Sequence, residues 1–504
     1  MSTQESVAAP DGDKLDGTVL KVATVVVLGA IMAILDTTVV NVALQQLTVE
    51  FETSFDTIQW VATGYMLALA TVIPVTGWAA DRFGTKRLYL LAIALFLIGS
   101  VLAGMAWNIE SLIIFRVVQG FGGGMLMPAG MTILTRTAGP ERIGRVMSVL
   151  GVPMLLGPIA GPILGGYLVD EVSWRWIFYI NVPIGILTML LSWRILPKDN
   201  PENAERFDFA GMLMVSPGLA ALIFGVSNIP SAGGVTELEV WLPAVAGIVL
   251  LLAFLRHASR VPNPLVDLKL FKNRTFSVAA GTMVLFCVAF FGAMLLLPTY
   301  FLLVRGETAL DAGLLLAPQG IGAMITMRLT GKIADRIGAR RIVVPGMLAI
   351  VAGLAPFTQV SASTPYWLLL SALFVMGLGM GATMMPITTA ALQTLTSKDM
   401  AKATTATTII QQTSGAIGSA VMSIILAGLL AGKFGVPTKD GQLAATAAIH
   451  TPATSEVAAG LAADSFATTF VWALALLALC VIPSLFLPDR RPAAAADAPP
   501  VMVH

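Results

Sequence analysis

Fourteen apolar stretches recur along the 504 residues of this chain. They lie at about 21–44, 58–80, 87–106, 111–135, 144–168, 176–195, 208–228, 240–256, 276–300, 310–331, 341–360, 365–392, 404–430 and 466–487. A helix needs roughly 20 apolar residues to cross a bilayer core. Backbone in hydrocarbon must satisfy its own hydrogen bonds, so a span is a helix or part of a closed barrel. Segments of this length predict an all-α polytopic membrane protein. Only 12% of residues are charged, about half the share of a soluble domain. The net charge of +1 gives no reason to expect a nucleic-acid partner.

The loops alternate in charge. One set carries Arg82, Lys86 and Arg87; Arg136, Arg142 and Arg145; Arg194, Lys198 and Arg206; Arg256, Arg260, Lys269, Lys272 and Arg274; Lys332, Arg336, Arg340 and Arg341; Lys398 and Lys402; and Arg490 and Arg491. The loops between them hold Glu50, Glu52 and Asp56, then Glu110, then Glu237 and Glu239, while 361–365 has no charge. Lys and Arg concentrate in cytoplasmic loops. The phase never breaks, which predicts an even number of spans with both termini in the cytoplasm. The weaker segments 208–228 and 240–256 enter as a pair or not at all. Residues 1–17 are polar and acidic and lack the basic start of a signal peptide. The tail from Pro492 is Ala/Pro-rich and is expected to be disordered.

A repeat divides the chain. Gly77, Asp81, Arg82, Gly84, Lys86 and Arg87 are echoed at the same spacing by Gly331, Asp335, Arg336, Gly338, Arg340 and Arg341. Both copies end a second span in a block of six. Two facing repeats with a midplane site are the architecture of alternating-access transporters. The expected organisation is a tail at 1–18, a six-helix bundle at 19–198, a two-helix insert at 199–262, a second bundle at 263–487 and a tail at 488–504.

Asp36 lies inside the first span, and an ionisable side chain there is a functional-site hypothesis by default. A span entering from the cytoplasm puts it roughly 12 Å from the outer end at the helical rise. Arg116, entering from the other side, lies about 8 Å deep by the same rise. The two are therefore at similar depth and can pair, directly or through Asn41 or Gln119. Burial disfavours a carboxylate's charge and a nearby cation favours it. That opposition makes Asp36 the candidate proton carrier and Arg116 the group that tunes it, against the alternative of a static buried ion pair.

These residues resemble the major facilitator superfamily. The twice-repeated Gly-Asp-Arg-Gly-basic loop carries the likeness most specifically. Leu35-Asp36 through Asn41-Val42-Ala43-Leu44, Arg116 with Gln119 and Gly120, and the run Gly157, Pro158, Gly161, Pro162, Gly165, Gly166 resemble the first-, fourth- and fifth-span motifs of its fourteen-span drug:proton antiporters. Trp174-Arg175-Trp176-Ile177-Phe178, followed by Ile180-Asn181-Val182-Pro183-Ile184-Gly185, fits the same branch. The resemblance spans about 20–487. It implies two six-helix bundles with two extra helices between them, and proton-driven export of drugs, dyes and other amphiphiles. Two features depart from the pattern. Gln45 stands where the first motif usually ends in proline, and no acidic residue lies between 366 and 396, which argues against high affinity for dications.

Gly157, Gly161 and Gly165 share a helix face. With Pro158 and Pro162 they are read as a bendable seam between the bundles, or as plain tight packing. Gly120 with Gly124 and Gly377 with Gly381 are read as packing. Gly77, Asp81, Arg82 and Gly84, with Asp335 and Arg336, are read as a cytoplasmic gate, the charges equally as topology markers. Arg328 is expected to snorkel. The substrate site is drawn from depth alone: Asn41, Tyr65, Gln119, Met125, Phe290, Phe291, Met294 and Met384, with Gln411 and Gln412 as amides that need a partner in hydrocarbon. Flexible Met and aromatic surfaces repack around varied ligands.

No phosphate-binding loop, nucleophile–base pair or metal-ligand spacing occurs. Cys287 and Cys480 fall in spans, His257 and His450 are placed in loops, and His504 ends the chain. The expectation is a secondary transporter without cofactor, metal or ATP, driven by the proton gradient. Its partners are the lipid bilayer and small amphiphilic substrates. Export of an endogenous lipid or envelope precursor is the alternative; a non-transporting sensor and a nutrient importer are weaker ones.

Overall fold

The structure of the protein is a computed structural model that describes residues 16–53, 55–138, 146, 157, 160–161, 163–197, 207–232, 237–395, 399–451 and 454–489. Every regular element among the described residues is helical. Thirteen helices among them are long and apolar enough to cross a membrane. The segment 144–168 lies mostly outside the described residues, and the remaining thirteen expected spans all appear.

We number the main helices in chain order. α1 is Gly17–Glu50, α2 Phe55–Phe83, α3 Thr85–Gly104, α4 Ile109–Ala138 and α5 Asn181–Ile195. These pack on one another as the first bundle. α6, Phe209–Ser227, and α7, Leu238–Ala258, form the insert. α8 is Arg274–Leu303, α9 Ala317–Ile337, α10 Arg340–Leu354, α11 Tyr366–Gly381, α12 Met384–Leu392, α13 Met400–Phe434 and α14 Ser455–Ser484, and these make the second bundle. The apolar segment 365–392 is thus two helices, broken at Ala382 and Thr383. α1 also runs six residues past its apolar stretch, which leaves Asp36 about 21 Å from the helix end at 1.5 Å per residue.

The repeated loops fold alike. Gly84 has φ 87° and ψ 145°, and Gly338 has φ 82° and ψ 152°. That region is open essentially to glycine alone, which explains why both copies carry it. At the same end Lys86 Nζ donates to the Trp193 and Leu196 carbonyls, each at 2.7 Å. A cation there complements the C-terminal end of α5.

Small residues set the helix spacing. A Cβ on Gly122 would lie 2.4 Å from the Phe96 nitrogen, and one on Gly377 2.0 Å from the Gln319 carbonyl oxygen. Gly120, Gly124 and Gly381 make equally close backbone approaches. Such contacts replace the hydrophobic drive that lipid cannot supply. Large apolar side chains such as Leu91, Ile98, Leu190 and Leu252 point outward, where lipid tails would cover them.

α6 is capped by Asp208, which accepts from Gly211 N at 2.8 Å. It lies along α2, with ring contacts at both ends: Trp60 to Phe224 at 5.3 Å and Trp78 to Phe207 at 4.4 Å. It also touches α13 of the second bundle. His257 sits in the last turn of α7, not in a loop, and its Nε2 is 2.7 Å from Asp208 Oδ1. That pair ties the insert's two helices together.

The two bundles meet near the end that carries Arg82 and Lys86. Thr132 Oγ1 of α4 lies 2.8 Å from Thr404 Oγ1 of α13. A Cβ on Gly77 would come 2.8 Å from Thr405 Oγ1 and 3.1 Å from the Ala401 carbonyl oxygen.

Candidate functional site

Asp36, Arg116, Gln119, Asn181 and Ser100 form a closed polar cluster in the first bundle, each at most 1% exposed. Arg116 Nη1 donates to Asp36 Oδ2 at 2.6 Å and to Gln119 Oε1 at 2.7 Å. Gln119 Nε2 donates to Asp36 Oδ1 at 2.7 Å, and Asn181 Nδ2 donates to the same oxygen at 2.9 Å. The carboxylate therefore accepts from three side chains on two helices other than its own. Ser100 Oγ receives Gln119 Nε2 at 3.2 Å and Asn181 Nδ2 at 3.1 Å, while its hydroxyl donates to the Phe178 carbonyl at 2.8 Å.

Arg116 is held on its remaining sides. Its Nε donates to the Val61 carbonyl at 3.2 Å. Its guanidinium carbon lies 4.2 Å from the Tyr65 ring centroid and 5.7 Å from that of Phe178. Such stacking offsets part of the cost of burying the cation. Removing one partner of a buried ion pair typically costs about 3–5 kcal/mol, because a charge is stranded.

Glycines bring the helices to this range. A Cβ on Gly99 would sit 2.5 Å from the Gln119 nitrogen, which lets α3 present Ser100 to the amide. A Cβ on Gly123 would sit 2.5 Å from the Tyr65 hydroxyl. Gly157 and Gly161 would clash in the same way with Ile34 Cγ2 at 2.0 Å and Thr38 Oγ1 at 2.1 Å. The Thr38 hydroxyl also reaches the Gly157 carbonyl at 3.3 Å. Of the two readings of this glycine face, these contacts support tight packing: at Gly157 and Gly161 it lies against α1 inside the first bundle, beside Asp36. Only a residue without a Cβ fits so near α1. Gly165 is buried on the same segment, and Pro158 and Pro162 lie outside the described residues.

Other expected residues fall in different places. Gln119 bridges Asp36 and Arg116, as one reading of the sequence expects, and Tyr65, also a candidate substrate contact, stacks on the same guanidinium. Asp81 pairs with Arg136 of its own bundle at 2.7 Å, while Arg82 is exposed. The side chains of Asn41, Asp335 and Arg336 lie outside the described residues. Met125, Phe290 and Met384 are buried, with Phe290 stacked on Phe286 at 5.2 Å. Phe291 lies against Gly415, and Met294 is half-buried. Gln411 is half-buried and Gln412 exposed, so the two do not share an environment. Arg328 is exposed. Asn181 and Ser100 were not singled out from the sequence. The available signal was an amide inside an apolar run, since buried amides need partners.

Comparison with known proteins places this geometry. The family model described as Major Facilitator Superfamily matches residues 26–423. The chain is 43% identical over 495 residues to a Mycobacterium tuberculosis protein named "Multidrug resistance protein B homolog", covering 95% of this chain and 92% of that one. It is 31% identical over 402 residues to the Haemophilus influenzae "Multidrug export protein EmrB", covering 79% and 78%. The fold is similar to the human organic anion transporter MFSD10, with a TM-score of 0.60 at 14% identity over 92% of this chain and 100% of that one. It is likewise similar to a double-tryptophan mutant of XylE, with a TM-score of 0.61 at 14% identity over 94% and 97%. By family match, relatives and fold alike, this chain belongs to the major facilitator superfamily.

Proposed function

We propose that this protein is a proton-coupled antiporter that exports lipophilic, often cationic drugs and dyes across the bacterial inner membrane by alternating access. The observation that carries the reading is the buried Asp36–Arg116 ion pair at 2.6 Å. An ionisable pair inside a span bundle is costly to bury and marks a functional site by default, proton relays among them. When Asp36 takes a proton, its attraction for Arg116 falls, and the helices that carry the two, α1 and α4, lose a tie. The names of the mycobacterial and Haemophilus relatives support efflux of drugs. The basic loops support cytoplasmic placement of the end where the bundles touch. No cofactor or ATP is required by this scheme.

The Thr132–Thr404 contact suits a gate. Thr132 can also donate to the Pro128 carbonyl at 2.8 Å, and Thr404 to the Ala401 carbonyl at 3.0 Å. Each hydroxyl has one proton, so one of the two gives up its own helix carbonyl to bridge the bundles. Opening returns that donor to its helix, and the closed state is only lightly held.

The test is ethidium movement in proteoliposomes under an imposed pH gradient. Accumulation that needs the gradient and stops with an uncoupler supports the reading. Ethidium movement indifferent to the gradient contradicts proton coupling, and none at all turns attention to export of a lipid or envelope precursor.

A further inference from the structure

We infer that Asn181 is the proton-state switch of this cluster: its side-chain amide turns over when Asp36 gains a proton. This rests on the reading of Asp36 as the proton carrier. Asn181 is fully buried, and its Oδ1 has no hydrogen-bond partner among the described residues. A buried amide oxygen left unpaired costs free energy and calls for an explanation.

Counting donors and acceptors supplies one. Among the described residues, each side chain hydrogen-bonded to Asp36 donates: Arg116 Nη1, Gln119 Nε2 and Asn181 Nδ2. That set suits an ionised carboxylate, which only accepts. A protonated Asp36 has one O–H to donate and needs an acceptor. On Oδ2 the new proton would face the guanidinium, which cannot accept. On Oδ1 it would face two amide N–H groups. Gln119 Oε1 is already taken by Arg116, and Ser100 Oγ receives both amides. Among the described residues, Asn181 Oδ1 is the remaining acceptor of the cluster. A half-turn about its Cβ–Cγ bond exchanges Nδ2 and Oδ1 and presents that oxygen to the Asp36 hydroxyl.

The step balances simply. A proton from the aqueous phase forms one O–H bond on Asp36, no covalent bond breaks, and Arg116 stays charged. Among the described residues, the charged group facing Asp36 is Arg116 from α4, with the Tyr65 phenol from α2 beside it. α3 contributes the neutral Ser100, and α5 the neutral Asn181. Asn181 begins α5, so the switch couples the charge on α1 to the entry of another helix. Asn181 is a positioning residue here, and its role goes beyond the Asp36–Arg116 tie.

Infrared difference spectra between acid and alkaline pH test this in the full-length protein, with and without isotope-labelled asparagine side chains. The expected result is a protonated-carboxyl band that Asp36→Asn removes, accompanied by an amide band that shifts with the label. Asn181→Leu removes the amide band and keeps the carboxyl band. Asn181→Ser, whose hydroxyl can donate or accept, retains gradient-driven transport. Asn181→Leu loses at least about tenfold, as expected for one hydrogen bond to a charged group. A carboxyl band with no labelled amide band, or an amide band that survives in Asn181→Leu, overturns the switch while leaving Asp36 as carrier. Absence of the carboxyl band in the unlabelled parent instead overturns the proton-carrier reading itself, and the switch with it.

Discussion

Around the Asp36 carboxylate, water is replaced by three side-chain donors, one of them the guanidinium of Arg116 that stacks on Tyr65. Arg116 meets those demands through its geometry as much as through its charge. One nitrogen serves Asp36 and Gln119, another reaches the Val61 carbonyl, and the plane lies over Tyr65. Lysine has the charge without the fork or the plane. Arg116→Lys is expected to reduce gradient-driven transport about tenfold or more, at roughly 1.5–3 kcal/mol per hydrogen bond to a charged group. Uptake assays on protein matched for membrane content would check it, and transport within twofold of the parent would contradict it. At this scale the sequence was informative about type and poor about direction. Asp36, Arg116 and Gln119 stand out because charged and amide side chains are costly in an apolar run. That Tyr65 stacks on Arg116 is not legible in the sequence, because depth along a helix says nothing about which neighbour a ring faces. The role of Asn181 is not legible in the sequence, since its partners come from α1 and α3, far away in the chain.

The helices are positioned by residues chosen for what they lack. Gly84 and Gly338 hold left-handed φ values of 87° and 82° at equivalent loops. Gly84→Ala and Gly338→Ala should each cost about 1–3 kcal/mol of strain, read as a lower thermal midpoint in detergent. An unchanged midpoint would contradict the strain. Gly157→Val presses a side chain into Ile34, two residues before Asp36, where a Cβ alone would lie 2.0 Å from Cγ2. Overpacking of this kind typically costs about 1–3 kcal/mol. The expected outcome is folded but poorly coupled protein: ethidium still binds, and gradient-driven accumulation falls. Normal accumulation would show that the approach to α1 is dispensable. The existence and period of these glycines were plain in the sequence. Their target was not, because a helix face is periodic information and the partner helix is tertiary information.

At the scale of the molecule, two bundles and a hairpin of helices were legible from apolar length, loop charge and the repeated Gly-Asp-Arg loop. Where the bundles touch was not, since Thr132 and Thr404 are ordinary threonines until α4 and α13 meet. The contact between them is expected to bias the closed state by the net worth of one hydrogen bond, about 0.5–1.5 kcal/mol. Thr132→Val with Thr404→Val should therefore raise the population open at the basic end by roughly two- to tenfold. Spin labels at Arg194 and Lys272, one on each bundle, would report the distance change. An unaltered distance distribution would remove the latch from the account. The insert bridges α2 and α13, so it must slide on one bundle if it stays with the other. Its aromatic ties at Trp60 and Trp78 point to α2 as the fixed side.

The most direct measurement is proton movement on adding ethidium to proteoliposomes, read by a trapped pH dye, with the parent beside Asp36→Asn. Substrate-driven proton flux in the parent, abolished in Asp36→Asn while ethidium binding persists, is the predicted result. Equal flux in both would mean that Asp36 does not carry the coupled proton.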